Sequence, residues 1–206
     1  MIYDIANRLL NINKILEIYV SKGEMSFNDA WIIYVFYEEY KDTGKIIDYI
    51  ETELKSGSQD FLKDIEMLLV ESSHFLKLYS SNKHTFENLN FQMICRKHLA
   101  VFYKKALDAQ DVSIEANEKY KILNNRLDRE GTWGDEEPKM WKEHAKLKEK
   151  STKLGLHTQA LFQAHRNEQQ RISGLFCLKI GAVVMFVSVL KQMATIVIEE
   201  YETTED

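Results

Sequence analysis

Apolar side chains recur at steps of three and four residues along almost the whole chain, which is the spacing of one face of an α-helix. The first run extends from Ile2 to Tyr19 and ends at Gly23. Ser26 is a predicted N-cap, with the acidic Asp29 three residues later. The same spacing continues beyond this cap. It predicts three further helices in the N-terminal part of the chain, at about 27–42, 45–55 and 60–80.

The pattern changes after a polar loop at 80–84, where Thr85 is the predicted cap of the next helix. From Phe86 to about Arg129 the chain contains no glycine or proline. Alternating steps of four and three define a heptad seam with many small residues, typical of a coiled coil. The seam consists of Cys95, Leu99, Phe102, Ala106, Ala109, Ser113, Ala116, Tyr120, Leu123 and Leu127.

A second long helix is predicted at about 138–200, after a turn at Gly131–Pro138. Its seam places Met140, Leu147, Leu154 and Leu161 seven residues apart. At ~1.5 Å per residue the two long helices would span ~65 and ~90 Å, more than a small bundle can accommodate.

The predicted fold is therefore all-α, a helical bundle of four shorter helices plus two long helices in an antiparallel coiled-coil-like hairpin. We expect residues 1–108 to form the bundle, completed by 170–206, and residues 109–169 to form a projecting hairpin. No segment has a convincing strand pattern. The run 182–187 would suit a strand in isolation, but no turn signal flanks it.

The segment from Ile172 to Ile198 is the most apolar part of the chain, and Lys179 and Lys191 are its only charged residues. The longest uncharged run, Ile180–Leu190, is shorter than a membrane span requires. We therefore predict a core helix at the centre of the bundle. A membrane-inserting segment is the alternative.

Composition narrows the class of protein further. The chain has 206 residues, 45% of them apolar, with one proline and eight glycines, which argues against collagen-like, low-complexity and turn-rich β-sandwich proteins. A net charge of -5 argues against a nucleic-acid partner. Two isolated cysteines, Cys95 and Cys177, indicate a reducing compartment. Since Met1-Ile2-Tyr3-Asp4 contains no basic residue, we expect no signal peptide and a cytoplasmic location.

Charge is unevenly distributed along the chain. Residues 1–84 contain 9 Lys/Arg and 14 Asp/Glu, whereas residues 138–171 contain 8 Lys/Arg and 3 Asp/Glu. The basic stretch is either a solvated helix face or a surface for an acidic partner or anionic headgroups.

Motifs for catalysis are lacking: the sequence has no phosphate-binding glycine loop, nucleophile elbow or zinc-binding cysteine pair. Glu71 and His74 have the Glu-x-x-His spacing of di-iron bundles, and His165 and Glu168 repeat it in reverse. We interpret them as surface or seam residues, because a di-iron bundle needs the motif twice and two further carboxylates. No metal, cofactor or enzymatic activity is expected.

The expected function is non-enzymatic protein–protein interaction, as in a scaffold, an inhibitor or an immunity-type protein, with a homodimer also considered. A tryptophan at a hairpin tip is a suitable anchor for another protein. The alternative is a peripheral membrane-binding dimer or a membrane-inserting protein that uses the basic stretch and residues 172–198. The predicted partner-binding residues are Trp133, Trp141, Lys142, Lys146, Lys148, Lys150, Trp31 and Tyr34.

Overall fold

The computed structural model describes residues 1–56, 59–130 and 137–205, which form nine helices and no strand. The predicted all-α class is confirmed. The helices are α1 (Ile2–Lys22), α2 (Phe27–Tyr40), α3 (Gly44–Ser56), α4 (Gln59–Ser81), α5 (Lys83–Glu87), α6 (Phe91–Glu130), α7 (Glu137–Arg171), α8 (Ser173–Cys177) and α9 (Ile180–Glu205).

The chain divides into two compact units. Unit 1 contains Met1–Cys95 and Gly174–Asp206, and unit 2 contains Arg96–Ser173. The range expected for the hairpin, 109–169, falls inside unit 2.

The ends of α1 and α2 follow the local sequence signals. Gly23 adopts φ 72°, a left-handed conformation that glycine tolerates, and its N–H donates to the carbonyl oxygen of Tyr19 at 2.7 Å. The Ser26 hydroxyl accepts from the backbone N–H of Asp29 at 3.1 Å. Both the predicted stop and the predicted cap are therefore confirmed.

Unit 1 is built on the contacts of α4 with α1 and α9. Helix α2 returns antiparallel to α1, with Arg8 Nη1 2.7 Å from Glu39 Oε2 near the start of α1 and the end of α2. Burial of each large apolar side chain contributes ~1.5–3 kcal/mol, so this core is the main source of stability. Its residues include Ile5, Leu9, Ile12, Leu16, Ile33, Phe36, Ile65, Leu68, Phe75, Val183, Val187 and Leu190, each at most 1% exposed.

One polar residue lies within the α1–α4 interface. Asn13 is 1% exposed, and its Nδ2 donates to the backbone oxygen of Glu71 at 3.0 Å and to Glu71 Oε2 at 2.8 Å. One turn further along both helices, His74 Nε2 lies 3.1 Å from Glu17 Oε1. The two contacts advance in the same direction, so α1 and α4 are parallel.

The prediction of one continuous helix over 138–200 is wrong. The chain is interrupted between α7 and α8 and again between α8 and α9. Leu178 N–H donates to the Leu175 carbonyl at 3.2 Å, and Ala182 N–H donates to the Lys179 carbonyl at 3.0 Å, so the second junction has its own hydrogen bonds. The apolar spacing typical of a helix continues through the interruption, because Leu175 and Leu178 are three residues apart and both buried.

The prediction of Thr85 as a helix cap is also wrong. Thr85 lies inside the short helix α5, where its carbonyl oxygen accepts from the Tyr19 hydroxyl at 3.2 Å. The next long helix begins later, and Asn90 caps it: Asn90 Oδ1 accepts from the backbone N–H of Met93 at 3.1 Å. Asparagine is as good a cap as threonine, so the local signal was present at both positions.

Gly174 lies directly against the Tyr34 ring. A Cβ atom at this position would lie 2.6 Å from Tyr34 Cζ and 2.9 Å from Cε2, closer than real side chains approach. Gly174→Ala should therefore displace Tyr34 and lower the free energy of unfolding by ~1–3 kcal/mol.

Gly181 supplies the matched control, since a Cβ there has no neighbour within 4 Å. Gly181→Ala should be neutral, or stabilising by up to ~1 kcal/mol through helix propensity. Thermal and urea unfolding of both variants measures the difference. Equal stability of the two variants would contradict the close contact at Gly174.

Helix α9 is buried on one side only, although the sequence predicts a helix surrounded by the bundle. Val183, Val187 and Leu190 are fully buried. Met185 and Ile196 are 73% and 53% exposed, and Val189 lies between them on the same stripe. Among the described residues, Ile180–Tyr201 is long and apolar enough to cross a membrane, and 39% of its most apolar stretch is buried.

Unit 2 consists of α7 and most of α6, and their contacts pair residues in opposite order. His98 on α6 meets Glu168 on α7, Ala109 meets Thr158, and Asn124 meets His144. All ten residues of the predicted α6 seam are buried or half-buried. The residues that would form the turn between the helices, 131–136, lie outside the described residues.

Candidate protein interaction surface

Polar groups occupy several positions along the seam of unit 2. The Thr158 hydroxyl donates to the Ala109 carbonyl at 3.1 Å. His144 Nε2 lies 2.9 Å from Asn124 Oδ1, and its ring lies 4.9 Å from that of Tyr120. Buried polar groups that are hydrogen-bonded fix one alignment of two helices more strictly than apolar contacts alone.

Glu168 makes the strongest polar contacts of this seam. Its Oε1 lies 2.8 Å from His98 Nε2, and Arg171 binds it at both oxygens, at 2.7 and 2.8 Å. The side chain is 14% exposed. The hydrogen bonds from Arg171 lower the pKa of Glu168 to about 2 against the opposing effect of burial, and the contact with His98 lowers it further. Glu168 is therefore a charged anchor for both helices.

The four predicted partner-binding lysines are all on α7 and all exposed: Lys142, Lys146, Lys148 and Lys150. None of them has an ion-pair partner within 4 Å among the described residues. Lys150 adds a weaker, longer-range effect and helps to lower the pKa of Glu115, which pairs mainly with Lys119. These ammonium groups are free to meet an acidic surface.

Of the two tryptophans predicted as anchors in the hairpin, the structure describes Trp141 only. Trp141 is 50% exposed and meets the His144 ring edge-on at 5.5 Å. Trp133 lies outside the described residues, so its role as an anchor stays a prediction. The Trp141 ring is thus accessible to solvent, and its role as a partner-binding residue stays a prediction.

In unit 1, Trp31 and Tyr34 are half-buried and belong to an aromatic row on α2. The Trp31 ring lies 6.2 Å from Phe27 and 5.2 Å from Tyr34. Tyr34 also covers Gly174. These contacts give both rings an intramolecular packing role, and their predicted role in binding a partner stays a prediction.

The two Glu/His pairs considered as metal ligands have other contacts. Glu71 accepts from Asn13, and His74 meets Glu17. His165 packs 5.5 Å from the Tyr103 ring, while Glu168 binds Arg171 and His98. Within the described part of the chain, no group of three or more histidine, cysteine or acidic side chains could hold a metal ion.

Sequence reasoning missed a second surface of unit 2. Tyr103, Leu107 and Ile114 lie beside the α6 seam and are 47%, 38% and 49% exposed. The Tyr103 ring meets Phe162 of α7 at 6.2 Å. We call this side of the two helices the Tyr103 face. On α6 it comprises Arg96, Ala100, Tyr103, Leu107, Gln110, Ile114, Asn117, Lys121, Asn124 and Asp128, and on α7 Trp141, Ala145, Lys148, Thr152, Gly155, Gln159, Phe162, Arg166 and Gln169.

The Tyr103 face could have been found as a second heptad repeat next to the seam. Its positions contain four cations and one carboxylate, Asp128 near the end of α6. The opposite side of α6 has mixed charge, because Asp108 and Glu115 alternate with Lys105 and Lys119. Of the four predicted lysines, Lys148 alone belongs to the Tyr103 face.

A shallow cavity of about 600 Å³ lies at the α7 edge of this face. Phe162 and Arg166 line it together with residues of the outer surface of α7. The complete lining is Leu156, Gln159, Ala160, Phe162, Gln163 and Arg166. It therefore combines apolar surface with one cation.

Comparison with known proteins gives no relative. The chain matches no family model, and no curated protein or solved structure is significantly similar to it.

Proposed function

We propose that the protein is a non-enzymatic helical interaction module that binds another protein through unit 2. The main supporting observation is the amount of apolar side chain that this unit leaves exposed. Eight large apolar residues of unit 2 are 38–69% exposed: Val101, Tyr103, Leu107, Val112, Ile114, Ile122, Trp141 and Leu156. Tyr103, Leu107 and Ile114 lie along one side of α6, and apolar surface that is grouped in this way marks interaction sites more often than scattered single residues do.

Charge supports the same proposal. Unit 1 contains 11 Lys/Arg and 20 Asp/Glu, whereas unit 2 contains 16 Lys/Arg and 12 Asp/Glu. A net-positive unit in a net-negative chain attracts acidic partners selectively and increases their association rate at low salt.

Reversing the charge of the four α7 lysines tests this proposal. The variant Lys142→Glu, Lys146→Glu, Lys148→Glu and Lys150→Glu should fail to retain a protein that the wild-type chain captures from its source cells. Once that protein is identified and purified, titration should show a loss of affinity that shrinks as salt increases, because screening weakens exposed charge pairs.

The matched control reverses four exposed lysines of unit 1: Lys14, Lys45, Lys77 and Lys83. It changes the net charge equally and should retain the partner. In the same titration, Trp141→Ala should weaken binding by ~2 kcal/mol if the ring is an anchor. Equal loss of binding in both lysine variants would contradict a specific surface on unit 2.

A second candidate function is membrane association through α9. The observation that favours it is the exposed stripe of Met185, Val189 and Ile196 on a helix whose length and composition would allow a membrane span. The acidic residues after Ile198 argue against anionic lipids as its target. Vesicle flotation with neutral and anionic lipids, compared between wild type and Met185→Asp, tests this candidate.

A further inference from the structure

We infer that the Tyr103 face is a docking groove for an acidic amphipathic helix of a partner protein. This inference rests on the proposed function and specifies the partner's chemistry. Two paired helices bury one face of each, and the side groove between them is the place where a third helix can pack. The exposed apolar residues on this side are spaced for that packing.

The apolar part of the groove follows a helical repeat. Leu107 and Ile114 are seven residues apart on α6, and Tyr103 precedes Leu107 by one turn. Phe162 faces Tyr103 from α7. An incoming helix could therefore bury this row against apolar residues at its own i, i+3, i+4 and i+7 positions.

Glycine on the α7 side allows close approach. A Cβ at Gly155 would have a single neighbour within 4 Å, the Ser113 hydroxyl at 4.0 Å. Gly155 is half-buried, and it has no side chain that would keep an incoming helix away from the α7 backbone. Small residues at such positions let helix backbones pack closely.

The charge of the groove selects the partner. Arg96, Lys121, Lys148 and Arg166 are all exposed, and the 19 positions of the Tyr103 face contain a single carboxylate, Asp128 near the end of α6. Pairing the face with the same face of a second copy would bring cations against cations. Glutamates that flank the apolar row of a foreign helix would instead meet these four cations.

A designed peptide of three heptads, with leucine at both core positions and glutamate at the flanking positions, tests the inference. Titrated into the full chain and followed by fluorescence polarisation, it should bind more tightly at about 0.05 M than at 0.5 M salt. The same peptide with lysine replacing glutamate should bind at least about tenfold more weakly.

Paired variants locate the site. Leu107→Glu with Ile114→Glu should reduce peptide affinity by about tenfold or more. Val112→Glu with Ile122→Glu places the same changes on the opposite side of α6, at residues 50% and 69% exposed, and should leave peptide affinity unchanged. Circular dichroism confirms that both variants are folded.

The inference would be overturned by equal binding of the glutamate and lysine peptides or by equal loss of affinity in both variants. It would also be overturned by self-association in sedimentation that Leu107→Glu with Ile114→Glu removes, because a second copy would then occupy the groove. Failure of the peptide to bind, while the lysine-reversed chain still loses its cellular partner, would overturn the acidic-helix inference and leave the proposed function standing.

Discussion

Replacing Val187 with aspartate is expected to unfold unit 1. Val187 is fully buried in the face of α9 that packs into the core. The new carboxylate would be buried among apolar side chains, so the substitution should remove ~4 kcal/mol or more of the free energy of unfolding. Urea unfolding followed by circular dichroism measures the loss. Wild-type stability of Val187→Asp would show that α9 is not part of the core.

Met185→Asp supplies the control on the same helix. Met185 is two residues away and 73% exposed, so its carboxylate would remain in water and stability should change by less than ~0.5 kcal/mol. The pair also separates the two interpretations of α9. If the wild type floats with vesicles and the stable Met185→Asp chain does not, membrane association is favoured. If neither the wild type nor Met185→Asp floats, α9 is a purely structural helix.

Glu168→Gln is expected to have the second largest effect, with a defined pH dependence. The pKa of Glu168 is lowered to about 2 from 4.5, chiefly by its hydrogen bonds with Arg171. A depressed carboxyl pKa stabilises the folded state fully above the unfolded value, and this stabilisation is lost as pH falls from about 4.5 towards 2. At pH 7 the variant should lose up to about 3 kcal/mol.

Comparing the two proteins at several pH values isolates this contribution. The difference in unfolding free energy between wild type and Glu168→Gln should be largest at neutral pH and should shrink below pH ~4.5. Glu149→Gln is the control, because Glu149 pairs with Lys153 in the same helix and both side chains are well exposed. A difference for Glu168→Gln that does not change with pH would show that its charge is not the source of the stabilisation.

Much of the fold could be predicted because short stretches of the sequence contain the signals that define each helix. Periodic apolar residues and the signals at Gly23 and Ser26 predict α1 and α2 closely. The interruption around α8 could not be predicted in this way. It depends on the approach of Tyr34 to Gly174 and on burial of Leu175 and Leu178, which are tertiary contacts between segments far apart in sequence.

The candidate surface was predicted less completely than the fold. The sequence pointed to the lysines of α7 because they form a conspicuous run. The Tyr103 face was missed because its repeat runs directly beside the predicted seam. Tyr103, Leu107 and Ile114 are apolar but lie outside that seam, so the seam pattern alone does not include them. Separating Lys148 from Lys146 and Lys150 required knowing which side of α7 faces α6.

The amide of Asn13 has a consequence for the uniqueness of the folded state. Apolar contacts between two parallel helices tolerate a shift of one turn, because one leucine or isoleucine replaces another. A shift of α1 along α4 would deprive the Asn13 amide of both Glu71 oxygens inside a dry interface, a cost of ~1–3 kcal/mol. Its Oδ1 atom has no partner among the described residues, which offsets part of the stabilisation from the two Nδ2 hydrogen bonds. Asn13 thus adds little net stability, and its main effect is to disfavour sliding of the two helices.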